Sequence, residues 1–168
     1  MNLPQVPRIA HILDVPDAAP TLARWFVEEW QPWYGPDGPG DAERDLAACG
    51  GRDRLPLCLV ALDGETPLGT AALKADSVGS ELGVGPWLSA FLVDEAHRRR
   101  GIGSALVAAI ETEAARLGFP AIYTSTGSAA GLLQRRGWQP FGASQSLRGP
   151  VEVYRCELAG GEPQTSTL

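Results

Sequence analysis

Residues 87–103 read WLSAFLVDEAHRRRGIG. The apolar run from Trp87 to Val93 predicts a buried strand, because it is continuous and of strand length. Apolar residues at helical spacing follow the arginines and glycines and predict an amphipathic helix that ends at a glycine. They are Ile102, Leu106, Ile110, Ala114 and Leu117. The segment Arg98–Gly103 is therefore predicted to be a turn between a strand and the first turn of a helix.

This turn has the composition of an anion-binding site. The first N–H groups of a helix lack internal partners, and the helix dipole is positive at that end. Glycines at 101 and 103 allow a ligand to approach the backbone closely. The spacing Arg-x-x-Gly-x-Gly differs from a P-loop and from a dinucleotide fingerprint, so another phosphate ligand is predicted. A solvated strand-to-helix connection is the alternative interpretation.

The remaining pattern predicts a sheet flanked by helices. Predicted strands, with a hairpin turn at Asp63-Gly64, cover residues 8–13, 57–62, 67–73, 121–126, 138–143 and 151–158. Predicted helices cover 18–29, about 41–49 and 129–136, and a loop rich in proline and glycine covers 32–40. The order of the elements predicts an α+β fold with a parallel strand–helix–strand unit at its centre.

Taken together, these motifs resemble one superfamily. The run Phe91–Asp94, the Arg-rich turn, the following helix and strand, and the segment LLQRRGW at 132–138 occur in a shared order and spacing. Residues 87–142 resemble the acetyl-CoA-binding half of the GNAT N-acetyltransferase superfamily, whereas residues 1–86 match only its pattern of elements. The resemblance implies a mixed, mostly antiparallel sheet in which two central parallel strands splay apart between flanking helices.

The resemblance also implies acetyl-CoA as cosubstrate. The strand before the turn is implied to lie along the pantetheine arm through Phe91, Leu92 and Val93. The turn and two nearby polar residues are implied to surround the rest of the coenzyme, the turn at its pyrophosphate. These residues are Arg98, Arg99, Arg100, Gly101, Ile102, Gly103, Ser104 and Thr126.

Acetyl transfer to an amine needs a donor for the developing oxyanion and a route for the departing thiolate. The expected oxyanion donor is the backbone N–H of Leu92 or Val93. Many family members have an Asn at the end of the second central strand and a thiolate-protonating Tyr seven residues later. Thr126 and Leu133 occupy those positions here.

Leucine cannot donate a proton, so three alternatives remain open. Tyr123 is the candidate acid, with Ser125 as a weaker one. Alternatively the thiolate leaves unaided, because thiols have a pKa of about 8.5. The third alternative is that the protein is not a catalyst.

The general base is also unassigned by the resemblance. Some members place a glutamate six residues before the position of Val93, where this chain has Trp87. Glu81 is the expected base, acting directly or through a water, with Asp76 and Glu29 as alternatives. A solvated surface position is the other interpretation of each carboxylate.

Aromatic residues predict the character of the acceptor site. Trp33 and Tyr34 lie in the loop rich in proline and glycine, and with Trp87 they are predicted to line an apolar or cation-accepting pocket. Trp25 and Trp30 fit a helix face in the core equally well. The predicted function is acetyl transfer to the primary amine of a small molecule. A protein or peptide N-terminal acetyltransferase and a non-catalytic acyl-CoA-binding module are the alternatives.

Length and composition limit the remaining possibilities. The 168 residues predict a single domain at 1–158 and a flexible tail at 159–168. A formal net charge of −6 argues against nucleic acid as a partner. Apolar runs of strand length and the lack of a secretory signal predict a cytoplasmic protein without membrane association. Three cysteines without metal-ligand spacing predict no metal site, and a monomer or homodimer is expected.

Overall fold

A computed structural model describes residues 7–158 of the chain. Its strands are β1 Arg8–His11, β2 Leu57–Asp63, β3 Thr66–Lys74, β4 Trp87–Val93, β5 Ala121–Thr126, β6 Gln139–Ser146 and β7 Gly149–Glu157. Its α-helices are α1 Ala19–Glu29, α2 Gln31–Tyr34, α3 Ala42–Ala48, α4 Ile102–Arg116 and α5 Ala130–Arg135. Single 3₁₀ turns lie at 12–14, 16–18, 80–82 and 95–97.

The strands form one sheet in the order β1-β2-β3-β4-β5-β7-β6. Its neighbours are antiparallel except for β4 and β5, which are parallel. Within the described residues a single register pair, Trp87 with Tyr123, joins these two strands. The Thr124 hydroxyl also donates to the Leu88 carbonyl at 2.8 Å. The strands diverge beyond this point, so the predicted α+β fold with a splayed central pair is confirmed.

Strand alternation divides the core between the two faces of the sheet. Leu57, Leu59 and Ala61 of β2 pack in the cluster that contains α4 and α5. The intervening residues of β2, Cys58 among them, pack on the other face with α1 and α3. Because both faces of β2 are covered, this strand is apolar throughout its buried length. The three cysteines are free thiols and all are buried.

A third cluster lies under the central strands on the face opposite α4. It contains Trp87, Ala121, Tyr123 and Val153. Each of these four residues has a direct chain neighbour that packs on the α4 side instead, such as Leu88 next to Trp87. On the face opposite α4, the β4–β5 gap is therefore bordered by the α1–α3 cluster on one flank and by this third cluster on the other.

Several predicted boundaries differ from the structure. The β2–β3 turn lies one residue later than predicted, at Gly64-Glu65, because Gly64 supplies the left-handed φ of 59°. Part of the predicted loop forms α2. Strand β6 extends to Ser146 through a bulge near Phe141. The predicted tail at 159–168 lies outside the described residues. Every helix between residues 7 and 158 is too short or too polar to cross a bilayer.

Candidate active site

The N-terminus of α4 is open to an anion. Gly101 is its N-cap residue, with a left-handed φ of 79°, and no side chain caps the helix. The Ala105 N–H makes the first helical hydrogen bond, to the Gly101 carbonyl at 3.0 Å. The N–H groups of residues 102–104 precede that bond, so they lie at the positive end of the helix without a side-chain cap among the described residues.

The arginines of the turn surround this helix end. Arg98, Arg99 and Arg100 are all exposed. The Arg98 side chain folds back, and its Nε donates to the Val93 carbonyl at 3.1 Å. Arg99 adopts a left-handed φ of 67°, which non-glycine residues rarely do. Cationic side chains and open backbone donors therefore occur together at one point, directly after β4, and they fit the phosphates of acetyl-CoA.

The two glycines of the turn have different structural roles. A Cβ on Gly101 would meet no atom within 4 Å, so this position is open and glycine is required by its φ. A Cβ on Gly103 would lie 3.1 Å from Leu132 Cδ1 and 3.2 Å from Phe91 Cζ. Gly103 thus allows α4 to pack against β4 and α5. The expectation that it clears space for the ligand is corrected by this geometry.

A bulge in β4 switches the side of the strand to which the backbone N–H and carbonyl groups of a given alternate set point. The Leu88 carbonyl points towards β5, where it accepts from Thr124. The Asp94 N–H points the other way and donates to the Leu68 carbonyl of β3 at 2.8 Å. Residues an even number apart point in one direction along a regular strand, so the direction must change between them. The register shifts where Ala90, with a φ of 50°, and Phe91 lie opposite a single β3 residue.

This bulge determines which N–H groups face the β4–β5 gap. Leu92 lies two residues before Asp94, so its N–H is directed at its β3 register partner, Thr70. The N–H groups of Phe91 and Val93 have the opposite direction, towards the gap. The expectation of Leu92 as an oxyanion donor is therefore corrected. Val93 remains a candidate, and Phe91 is a second one that the sequence did not indicate.

The positions tied to proton transfer offer few donors. Leu133 is 1% exposed and packs in the core under α4. Tyr123 packs between Trp87 and Phe141, with ring centroids 5.8 and 5.1 Å away, and its hydroxyl accepts from Arg155 Nε at 3.2 Å. Tyr123 thus lies where β4 and β5 are still paired, before the gap opens.

Thr126 serves the backbone of the turn before α5. Its Oγ1 accepts from the Ser128 N–H at 3.1 Å and from the Ala129 N–H at 2.7 Å. The hydroxyl therefore fixes the connection between β5 and α5 at the mouth of the gap. Its predicted contact with the coenzyme stays a prediction.

Glu81 is poorly suited to act as a base. It is exposed, and its carboxylate accepts a hydrogen bond from the Ser144 hydroxyl of β6. This hydrogen bond lowers the pKa of Glu81 from its ordinary value, which makes the carboxylate a weaker proton acceptor. The carboxylate of Glu29, one of the alternatives, also has a partner, because its Oε1 forms an ion pair with Arg148 Nη1 at 3.6 Å.

The three aromatic residues predicted for the acceptor pocket have different environments. Trp87 is fully buried, and its indole donates to the Val84 carbonyl at 3.0 Å, so its predicted place in an open pocket is corrected. Tyr34 stacks on Phe26, and its hydroxyl donates to Asp45 at 2.5 Å. Burial and the adjacent Asp45 raise the pKa of Tyr34. Trp33, 45% exposed, remains available to a ligand.

The β6–β7 turn contacts the end of α1. Arg148 donates from Nη1 to the Glu29 carbonyl at 3.3 Å, in addition to the ion pair. The start of β7 pairs with the end of β5 through Glu152 and Thr126. The turn therefore lies beyond the open end of the β4–β5 gap and reaches across to the helix on its other flank.

Comparison with known families agrees with this geometry. The Acetyltransferase (GNAT) family matches residues 20–138. The chain belongs to the GNAT acetyltransferase family. GNAT enzymes use acetyl-CoA, so the predicted family, enzyme class and cosubstrate are confirmed at the level of this membership.

One curated relative is the mycothiol acetyltransferase of Clavibacter sepedonicus. This GNAT chain is 33% identical to it over 113 residues, which are 67% of this chain and 34% of that protein. The chain thus aligns with about a third of the length of the relative.

Solved GNAT structures share the fold at low sequence identity. An aminoglycoside 6'-N-acetyltransferase complexed with coenzyme A has a TM-score of 0.72 and 15% identity, covering 90% of this chain and 97% of that one. The ribosomal-protein-S18-alanine N-acetyltransferase of Escherichia coli has a TM-score of 0.61 and 15% identity, covering 91% and 94%. At these identities the likeness concerns the fold alone.

Proposed function

We propose that this GNAT member transfers the acetyl group of acetyl-CoA to the primary amine of a small molecule. The observation that carries the proposal is the uncapped N-terminus of α4 directly beside the β4–β5 gap. In this proposal the α4 N-terminus and Arg98–Arg100 hold the phosphates, and the gap admits the pantetheine arm.

Acetyl-CoA supplies an acyl carbonyl that is activated as a thioester. The phosphate turn follows Val93, so an arm that runs from it back along β4 brings the carbonyl deeper into the gap, towards Phe91. The Phe91 N–H, which faces the gap just after the bulge, would stabilise the oxyanion. The Val93 N–H would bind the pantetheine arm, which agrees with the expected position of Val93 along it.

Proton transfer in this proposal relies on solvent. The carboxylate of Glu81 is held by the Ser144 hydroxyl, and the proposal assigns the removal of the proton from the acceptor amine to water before the amine attacks. Leu133 cannot donate a proton, so the thiolate of coenzyme A leaves unaided. The ordinary pKa of a thiol, about 8.5, permits this near neutral pH.

The contact between Arg148 and Glu29 favours a small acceptor over a peptide. It joins the β6–β7 turn to α1 beyond the open end of the gap, and so narrows the groove that an extended chain would need. Trp33, the exposed member of the aromatic group, would supply an apolar or cation-binding surface to the acceptor.

Thiol release from acetyl-CoA tests the proposal directly. The panel of acceptors contains aminoglycosides, amino sugars, simple alkylamines and short peptides with free N-termini. Turnover with at least one small amine and none with the peptides is expected. Turnover confined to peptides would favour the N-terminal acetyltransferase. Acetyl-CoA binding without turnover of any acceptor would favour the non-catalytic module.

Tyr123→Phe is expected to leave turnover within about threefold of the wild-type value, because the tyrosine lies before the gap and its hydroxyl is bonded to Arg155. Activity should rise with pH as the acceptor amine deprotonates, without a falling limb from a tyrosine acid near its reference pKa of about 10. Steady-state kinetics across pH checks both points. A loss of about a hundredfold with unchanged acetyl-CoA affinity would make Tyr123 the acid.

A further inference from the structure

A mostly buried ion pair joins α4 to the end of α5. Arg136 donates from Nε and Nη2 to the two carboxylate oxygens of Glu111, at 2.8 and 2.9 Å. The Trp138 indole donates to the same carboxylate at 3.1 Å. The side chains of Arg136 and Glu111 are 27% and 18% exposed. The two hydrogen bonds to Glu111 therefore fix the guanidinium plane, and the indole of Trp138 holds the carboxylate that accepts them.

One guanidinium nitrogen of Arg136, Nη1, does not bind Glu111. Glu111 engages Nε and Nη2, and Nη1 lies 3.5 Å from the Ser104 hydroxyl. Ser104 is in the first turn of α4, and Glu111 is seven residues further along, on the same face of the helix. The Arg136 side chain thus extends from Glu111 towards the N-terminal turn of α4, where Nη1 makes only a long hydrogen bond, to Ser104 Oγ at 3.5 Å, within the described residues.

We propose that Arg136 is a phosphate-binding residue for acetyl-CoA and that Glu111 is its positioning residue; this rests on the proposed function. Guanidinium binds phosphate oxygens through a planar fork, and the Glu111 pair holds that fork in place before the ligand arrives. The neighbouring Ser104 hydroxyl supplies a further donor at the same point. The ligand oxygens belong either to the pyrophosphate or to the 3′-phosphate of the coenzyme.

A purely structural role for the pair makes different demands. If Arg136 only ties α4 to the α5–β6 segment, its removal would lower the stability of the protein. It would then reduce the affinity for coenzyme A and for its truncated forms by the same factor. If Arg136 binds phosphate, the loss in affinity would depend on the phosphates that the ligand carries. Ligand truncation therefore separates the two roles.

The test measures the affinity of coenzyme A, 3′-dephospho-coenzyme A and pantetheine by calorimetry and by displacement. The proteins are the wild type, Arg136→Met and the double variant Glu111→Leu/Arg136→Met. Removing both partners of a buried pair avoids the uncompensated charge that removing one leaves. Arg135→Gln is the matched control, since Arg135 is exposed and has no hydrogen-bond partner among residues 7–158.

Both Arg136 variants are expected to bind coenzyme A about tenfold more weakly and pantetheine as the wild type does. Arg135→Gln should change neither by more than about twofold. A penalty that persists with 3′-dephospho-coenzyme A assigns Arg136 to the pyrophosphate, and one that disappears assigns it to the 3′-phosphate.

Wild-type affinity for coenzyme A in the double variant would overturn the inference, as would an equal loss for pantetheine. Failure of the wild-type protein to bind coenzyme A would overturn the proposed function itself, which keeps the two failures distinct.

Discussion

Gly101→Val is expected to reduce acetyl-CoA affinity at least about 100-fold, which corresponds to roughly 2.7 kcal/mol of binding free energy. Gly101 has a φ of 79°, and a left-handed conformation costs an ordinary residue about 1–2 kcal/mol, more when it is β-branched. Its Cβ would point into open space at the N-terminus of α4, where the phosphates are proposed to bind. Either the side chain blocks that space or the turn rearranges and its N–H groups no longer converge. Calorimetric titration with acetyl-CoA measures the loss.

Gly118→Val is the matched control for this variant. Gly118 follows the other end of α4 with a φ of 92°, and its Cβ would also meet open space. The 15-residue helix separates the two glycines by about 22 Å. Both variants should therefore lose similar stability in chemical denaturation, and only Gly101→Val should lose affinity. If the two variants bound acetyl-CoA with equal affinity, the turn at Gly101 would not be the phosphate-binding site.

An ester in place of the backbone amide at Phe91 is expected to lower kcat about 100-fold. Incorporation of 3-phenyllactic acid keeps the side chain and replaces the N–H by oxygen. The Phe91 N–H faces the gap after the bulge, so its removal takes away a donor aimed at the developing oxyanion, and coenzyme affinity should change little. Single-turnover kinetics with the best acceptor amine measures the effect.

The same exchange at Leu92 serves as its control. The Leu92 N–H is directed at β3, so an ester there removes a sheet hydrogen bond worth about 0.5–1.5 kcal/mol of stability. Turnover of the folded Leu92 ester should stay close to the wild-type value. If the Leu92 ester lost more turnover than the Phe91 ester, the assignment of the gap-facing groups would be wrong.

Features that depend on local pattern could be predicted from the sequence. The apolar run of β4, the helical stripe after Gly101 and the glycine after α4 each act through nearest neighbours, so they indicated the strand, the turn and the helix. Burial on both faces similarly made β2 a continuous apolar run that could be recognised as a strand. The central strand–turn–helix unit and its resemblance to GNAT enzymes followed from these patterns.

Features that depend on tertiary context could not be predicted. The bulge at Ala90 has no sequence signal, because alanine is not favoured at a φ of 50°, yet it decides which N–H groups face the gap. Trp87 was predicted to line a pocket, but the loop that contains Gly79 covers its ring. The local sequence around Trp87 does not show that this loop packs there. The Glu111–Arg136 pair joins residues 25 positions apart, so only the fold shows that they meet.

The most direct test of an acetyl-CoA site at the α4 N-terminus and the β4–β5 gap is chemical denaturation with and without the ligand. A ligand that binds only the folded state at about 100 times its Kd adds roughly 2.7 kcal/mol to the free energy of unfolding. We predict a gain of this size with millimolar acetyl-CoA for the wild type and for Gly118→Val, and a gain of at most about 0.4 kcal/mol for Gly101→Val, whose affinity is expected to be at least about 100-fold lower. An unchanged free energy of unfolding for the wild type in millimolar acetyl-CoA would contradict the account.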